Sequence, residues 1–152
     1  MWVIFREVAE GGNTIPTSTS ASKEAMRGDW FDESTTSYVA VEENLVVGMY
    51  KLGANQPDLG SHVATATFMV LSSHRGKGVG TALVEHCLNE ASAAGFVAIQ
   101  FNFVVSSNVA ALSLYKKLGF SVAGTLPGAF RHCELGYIDA HVLFMDLPQT
   151  GA

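Results

Sequence analysis

The sequence has few charged residues and few cysteines, and each shortage excludes a class of protein. Charged residues make up 15% of the 152-residue chain, against about 25% in typical soluble domains, which argues against disorder. The formal net charge of −5 disfavours nucleic acid or an anionic membrane as the main partner. The two cysteines, Cys87 and Cys133, are too few for a disulfide framework, so we expect free thiols.

Long apolar runs are also missing. No stretch approaches the roughly 18 residues of a membrane span. The chain does not open with a cationic start followed by an apolar run, the pattern of a signal peptide. We therefore expect a cytoplasmic protein without a membrane segment. What the sequence does have is core material, because 48% of its residues are hydrophobic. Its length predicts a single domain over residues 1–152.

Apolar and β-branched patterns predict the secondary structure. The predicted strands are residues 2–8, 37–42, 45–52, 62–71, 97–104, 120–124 and 138–145. The predicted helices are residues 22–28, a segment from Val79 that ends before Gly95, and a segment capped by Asn108 and stopped by Gly119. Residues 127–136 are predicted as a loop. This order indicates an α+β, or mixed α/β, fold with one sheet covered by helices.

The segment HRGKGVGT, residues 74–81, joins a predicted strand to a predicted helix. Its three glycines let a ligand approach the backbone closely. The N–H groups at a helix start carry partial positive charge, which favours a pyrophosphate. A P-loop requires GxxxxGK[ST], and a dinucleotide-binding loop requires GxGxxG. Neither pattern is present, so the loop either holds a different phosphate-bearing ligand or only turns the chain.

Two segments together resemble the GCN5-related N-acetyltransferase (GNAT) superfamily. Residues 69–83, MVLSSHRGKGVGTAL, resemble its acetyl-CoA motif, and residues 106–120, SSNVAALSLYKKLGF, resemble its later helix. Residues 55–64 and 100–105 further resemble a branch that includes the fungal azetidine-2-carboxylate (proline-analogue) acetyltransferases. Residues 126–132 and 136–140 resemble bacterial members of that branch. The resemblance implies a mostly antiparallel sheet, splayed between the strands at 62–71 and 97–104 and flanked by helices.

The resemblance also implies acetyl-CoA as acetyl donor and direct attack of an amine on its thioester. It assigns cofactor contacts to Met69, Val70, Leu71, Arg75, Gly76, Lys77, Gly78, Val79, Gly80, Thr81, Asn108 and Tyr115. A backbone N–H near Val70 or Leu71 would stabilise the developing oxyanion. Tyr115 aligns with the family's general acid, and a phenol can protonate a leaving thiolate. A core aromatic is the alternative role for Tyr115.

The acceptor side is less specified. Asn102 interrupts an aromatic strand and is a candidate to orient the acceptor, or a strand amide satisfied by its neighbours. Trp30 and Phe31 are candidates for the acceptor wall, or cover for the sheet. Many relatives carry a glutamate base on the strand spanning residues 62–71, and this strand has none. His62, Asp139, a water molecule, or loss of the proton to solvent are the alternatives. His62 is also a candidate to contact the acceptor, or a structural residue at the start of the strand.

Three functions remain open on these grounds. The first is acetylation of a small-molecule amine or amino acid, and the second is acetylation of a protein N-terminus or lysine. The third is a non-catalytic acyl-CoA-binding module. No metal is expected, because His74, His86, His132 and His141 lack ligand spacing. Aromatic residues on the last strands, including Tyr137 and Phe144, suggest a homodimer by analogy with relatives.

Overall fold

The structure is a computed structural model that describes residues 1–149. Its helices are α1 (Trp2–Gly11), α2 (Lys23–Trp30), α3 (Val79–Ala93) and α4 (Val109–Leu118). Its strands are β1 (Thr35–Glu42), β2 (Leu45–Ala54), β3 (Val63–Val70), β4 (Ala98–Val105), β5 (Ser121–His132) and β6 (Gly136–Asp146). Short 3₁₀ turns lie at Asp58–Gly60 and Ser72–His74. None of the helices in residues 1–149 has the length and hydrophobicity to cross a membrane.

The six strands form one sheet in the order β1-β2-β3-β4-β6-β5. Every neighbouring pair is antiparallel except β3 and β4, which run parallel. β3 and β4 pair only at their starts, through Val63 with Ala98 and Ala64 with Ile99. Beyond those residues the two strands separate and leave a slot. The predicted α+β fold with a splayed, mostly antiparallel sheet is therefore confirmed.

Helices cover both faces of this sheet. Leu83, Val84 and Cys87 of α3 pack with Tyr115 of α4 in one core cluster, against side chains such as Ile99. The opposite face packs α1 and α2 against Met49 and Met69, through Phe5, Val8, Met26 and Trp30 among others. Cys87 is buried and Cys133 is exposed, and both are free thiols as predicted.

The predicted strand at residues 2–8 is wrong, because this segment is helix α1. Its apolar, β-branched composition favours a strand locally. Its buried residues, Ile4, Phe5, Val8 and Ala9, instead repeat at helical spacing and form one apolar face. That face packs against Met69 on the sheet. Tertiary burial therefore decided the conformation over local propensity.

The predicted loop at residues 127–136 is also wrong, since β5 continues to His132. A register irregularity between Leu126 and Phe130 absorbs the segment that contains Pro127, which lacks a backbone N–H, and Gly128, whose φ is 59°. Pairing then resumes from Phe130 with Ile138 to His132 with Gly136. The proline and glycine of this segment mark a bulge within a strand and not a loop. The long β5–β6 hairpin extends to the slot.

Candidate active site

Two cavities open on the slot between β3 and β4. The first, which we name the loop cavity, has a volume of about 560 Å³ and lies at the glycine-rich loop before α3. The second, the sheet cavity, has a volume of about 360 Å³ and lies over β3 and β4 on the side of α1 and α2. The two cavities share Thr14, Phe68, Met69, Asn108, Ala111 and Tyr115. They therefore meet where β3 ends and α4 begins.

The loop before α3 presents backbone donors to the loop cavity. Gly76 and Gly78 adopt left-handed backbone conformations with φ of 72° and 86°, and nothing lies within 4 Å of where their Cβ atoms would be. Within residues 1–149, the backbone N–H groups of residues 76–81 donate to no backbone acceptor. The helix dipole adds to these donors at the start of α3. This arrangement is suited to a diphosphate.

The structure brings most of the predicted cofactor residues to the loop cavity. Those that line it are Met69, Val70, Arg75, Gly76, Gly78, Gly80, Thr81, Asn108 and Tyr115. Lys77 and Val79 are not among the lining residues. Lys77 is exposed to solvent, whereas the Val79 side chain packs against β2 at Gly48.

Leu71 is the third predicted residue outside this lining, and its N–H donates to Val47 O on β2 at 2.9 Å. Neighbouring residues of an antiparallel strand point their backbone groups in opposite directions. The backbone N–H and C=O of Met69 therefore face β2, like the N–H of Leu71, and those of Phe68 and Val70 face the slot. Of the two predicted oxyanion donors, the N–H of Leu71 is occupied, and the N–H of Val70 is free to serve.

Tyr115 lies at the junction of the two cavities. Its ring packs on Phe101 and Phe120 with centroid separations of 4.7 and 5.6 Å. Tyr38 and Tyr50 bond their hydroxyls to side chains of α3, but no described residue pairs with the Tyr115 hydroxyl. Since no side-chain polar atom in residues 1–149 is both fully buried and unpaired, this oxygen reaches cavity space. Burial raises the pKa of Tyr115, so the phenol remains a proton donor.

The two predicted asparagines have partners. The Asn108 side chain accepts a hydrogen bond from Ala111 N at 3.4 Å, which caps α4, and the residue lines both cavities. Asn102 bridges the slot: Gln100 donates to its Oδ1, and its Nδ2 donates to Asn55 Oδ1 at 2.6 Å. Its Nδ2 also lies 3.5 Å from the hydroxyl of Thr65 on β3. Asn102 is thus a satisfied amide on the wall of the sheet cavity.

The other acceptor-side candidates separate. Trp30 is 1% exposed and lines the sheet cavity. Phe31 is 60% exposed and lines neither cavity. His62 also lines neither cavity and lies at the closed end of the slot, where its carbonyl accepts from Val97 N. Asp139 accepts from Gly128 N on the β5–β6 hairpin and does not reach the sheet cavity.

Sequence reasoning missed an ion pair in the sheet cavity. Lys51 Nζ lies 2.6 Å from Asp29 Oδ2 and 5.8 Å from the centroid of the Trp30 ring. These residues belong to β2 and α2, which are separated along the chain and carry no motif. The Asp–Trp pair at the end of a predicted helix was the only signal. Within residues 1–149, Lys51 and Asp29 are the charged residues that line this cavity.

His132 is a second missed residue, and it lines the loop cavity. Its Nδ1 accepts hydrogen bonds from the backbone N–H groups of Glu134 and Leu135, at 3.0 and 3.2 Å. In the neutral ring the proton is therefore on Nε2, which is a donor and not a base. No group of three or more His, Cys, Asp or Glu side chains in residues 1–149 is arranged to hold a metal ion.

Comparison with known proteins agrees with this geometry. The Acetyltransferase (GNAT) family matches residues 3–120. The chain is 33% identical to the N-acetyltransferase aca1 of Schizosaccharomyces pombe, over 91% of this chain and 75% of that protein. A solved GCN5-related N-acetyltransferase from Kribbella flavida superposes with a TM-score of 0.93 at 39% identity, over 97% of this chain and 90% of that one.

A more distant solved structure shows the same fold. It is a GNAT superfamily phosphinothricin acetyltransferase from Sinorhizobium meliloti in complex with acetyl-CoA, with a TM-score of 0.85 at 20% identity. The superposition covers 99% of this chain and 83% of the Sinorhizobium meliloti chain. The family match, the 33% identical relative and the splayed sheet agree, and the chain belongs to the GNAT family of acetyltransferases.

Proposed function

We propose that this acetyltransferase moves the acetyl group of acetyl-CoA to the amine of a small molecule or amino acid. The observation that carries the proposal is the junction of the two cavities at Tyr115. A thioester at this junction would have the unpaired donors of residues 76–81 on its diphosphate side. The sheet cavity on its other side would admit the acceptor.

The chain's own groups supply two functions in the transfer. As the amine attacks the thioester carbon, negative charge grows on the carbonyl oxygen, and the Val70 N–H faces the slot where it can stabilise that charge. The bond to the CoA sulfur then breaks, and the Tyr115 hydroxyl is available to protonate the thiolate. The proton that the nitrogen loses as the amide forms returns to the phenolate through water. His132 is a further donor on the loop cavity.

The walls of the sheet cavity favour a small acceptor over a peptide. Residues 14–17 and helix α2 line its side away from the sheet. Cys133 N, in the turn of the β5–β6 hairpin, donates to Gly12 O at the end of α1, at 3.2 Å. This bond joins the β4 side of the slot to the β3 side, where α1 packs. A groove open along its length, as a peptide lying across the site would need, would lack such a bridge.

No side chain is proposed as the general base. The one carboxylate that lines the sheet cavity in residues 1–149 is Asp29, and it is paired with Lys51. The amine therefore loses its proton to water. The rate at low acceptor concentration should rise with pH until the free amine predominates, so acceptors with different amine pKa values should give displaced profiles.

The test is a thiol-release assay with acetyl-CoA across single amino acids, azetidine-2-carboxylate, polyamines and short peptides. The proposal expects acceptor-dependent CoA release with at least one small amine and a lower kcat/KM for peptides. Release with peptides alone would indicate a protein acetyltransferase. Binding of acetyl-CoA in calorimetry without release to any acceptor would indicate an acyl-CoA-binding module.

Self-association remains a prediction. Tyr137 on β6 is 75% exposed, and Phe144 is half-buried on the same strand. Sedimentation velocity on the wild type and on Tyr137→Ser would test whether these strands form a homodimer. A monomer at every concentration would contradict it.

A further inference from the structure

We propose that Lys51 binds a carboxylate on the acceptor, so that the acceptor is an amino acid and not a simple amine or polyamine. This inference rests on the proposed function, since it names the substrate class of the same site. Lys51 is a specificity-determining residue in this proposal. Its ammonium would hold the carboxylate while the amine of the same molecule reaches the thioester.

The first observation is which member of the ion pair lies deeper. The Lys51 side chain is 20% exposed, whereas the Asp29 side chain is 63% exposed. The lysine side chain is therefore largely covered, whereas the aspartate side chain is largely in solvent. A site built to hold a second ammonium group, as in a polyamine, would place the carboxylate inward. The more buried charged side chain of this cavity is the lysine.

The second observation is that the Lys51 ammonium has unused donors. An ammonium has three N–H groups, and Asp29 Oδ2 is its one charged partner in residues 1–149, at 2.6 Å. A ligand carboxylate can accept from the remaining N–H groups without displacing Asp29. The ion pair thus positions the ammonium and leaves it available.

The third observation is the distance from Lys51 to the reacting position. Lys51 pairs directly with Thr67 in the β2–β3 ladder, so their side chains lie on the same face of the sheet. Thr67 precedes Met69 by two residues, which is about 7 Å along a strand. Met69 lines both cavities. A short molecule with an amine near Met69 can therefore place its carboxylate within reach of the flexible lysine side chain.

Asp29 has a positioning role in this arrangement. Its carboxylate holds Lys51 Nζ near the Trp30 ring and partly neutralises the charge of the ammonium. Loss of Asp29 would leave the ammonium free to move toward solvent. We therefore expect Asp29→Asn to raise KM for amino acids less than Lys51→Met does, with little change in kcat.

The experiment compares acids with their amides. Each protein amino acid and azetidine-2-carboxylate is assayed against its carboxamide and against spermidine, with wild type, Lys51→Met and Lys23→Met. Methionine keeps the length of the side chain and removes the charge. Lys23 is exposed on α2 and lines neither cavity, so Lys23→Met controls for the loss of one cation.

For the acids we expect Lys51→Met to raise KM by about 10- to 100-fold, since hydrogen bonds to charged groups are that strong, and to change kcat much less. The preference for acid over amide should collapse in Lys51→Met and persist in Lys23→Met. Calorimetric binding of acetyl-CoA shows that each variant is folded with an intact loop cavity.

Equal use of acids and amides by the wild type would overturn the role of Lys51 while leaving the proposed function standing. So would a preference for spermidine, or an acid preference that survives Lys51→Met. Absence of CoA release with every acceptor would instead count against the proposed function, and this inference would fall with it.

Discussion

The loop cavity and the sheet cavity differ in what they are made of. The loop cavity presents mainly backbone: the N–H groups of residues 76–81 and the slot-facing edge of β3. The sheet cavity presents side chains, among them Lys51, Asp29 and Asn102, from three separate elements. Because a backbone donor is the same for every residue, a conserved cofactor needs only correct chain geometry. A variable acceptor needs side chains that can be exchanged.

The comparison predicts that the two cavities respond differently to substitution. Binding of acetyl-CoA at the loop cavity should be weakened by substitutions that change backbone conformation or close packing. Use of the acceptor at the sheet cavity should be weakened by substitutions that remove a polar or charged group. Loss of the Tyr115 hydroxyl, at the junction, should affect the chemical step far more than the binding of either substrate.

The largest effect is expected from Tyr115→Phe. The ring keeps its packing on Phe101 and Phe120, and only the proton donor is lost. We expect kcat to fall by about 10²- to 10⁴-fold, with the Kd for acetyl-CoA within about twofold of wild type because no hydroxyl contact to the cofactor is invoked for binding. Steady-state kinetics and calorimetry measure the two quantities.

The pH profile of the wild type sharpens this prediction. Burial raises the pKa of Tyr115 above its ordinary value, so the donor stays protonated as pH passes about 10. The kcat of the wild type should not decline there through ionisation of this phenol. An unchanged rate in Tyr115→Phe would remove Tyr115 from the mechanism.

The next effect is expected from Gly48→Ala on β2. A Cβ there would lie 2.8 Å from Val79 Cγ1 and 2.9 Å from Leu83 Cδ1, so these side chains, or α3 with them, would have to shift. We expect a loss of about 1–3 kcal/mol in the free energy of unfolding, measured by urea denaturation, and weaker acetyl-CoA binding. Gly124→Ala is the control, since nothing lies within 4 Å of its added Cβ. Equal stability of the two variants would contradict the close approach.

A smaller effect is expected from Gly78→Ala at the start of α3. Its φ of 86° is left-handed, and a Cβ in that conformation costs about 1–2 kcal/mol. We expect acetyl-CoA to bind about tenfold more weakly, since about 1.4 kcal/mol is a factor of ten. Gly28→Ala in α2 is the matched control. It has no positive φ and no close neighbour, and alanine there should stabilise the helix by about 0.5–1 kcal/mol.

The smallest effects separate Arg75 from Lys77. Both are exposed, but only Arg75 lines the loop cavity. We expect Arg75→Ala to raise the Kd for acetyl-CoA by about fivefold at low salt, with less effect at high salt because exposed charges are screened. Lys77→Ala should stay within about twofold. If Lys77→Ala had the larger effect, the loop would have to present its cations differently on binding.

Much of the fold was predictable because the relevant signals are local. The β1–β2 hairpin, α3 with its glycine-rich start, and α4 between Asn108 and Gly119 each carry their own turn, cap or periodic pattern. The first helix was not predictable in the same way. Its β-branched residues favour a strand, the spacing of Ile4, Phe5 and Val8 favours a helix, and the core around Met69 and Trp30 decides between them.

The candidate site also has features with a local sequence signal and features without one. Glycines with positive φ leave a mark in the sequence, so the loop at Gly76 and Gly78 could be found. The pairing of Lys51 with Asp29 leaves none, because it depends on how α2 packs over β2. Strand register likewise decides that the N–H of Leu71 pairs with β2 and that the N–H of Val70, the candidate oxyanion donor, faces the slot.

The sequence by itself therefore determined the family, the kind of loop that is proposed to take the diphosphate, and the identity of the candidate acid. Those features depend on residue types that only particular backbone conformations or chemistries accept. The tertiary structure decided which backbone groups face the slot, that His62 lies at its closed end, and that a lysine lies within the sheet cavity. The physical reason is that these features arise from contacts between elements far apart in the chain, which sum over many weak packing interactions.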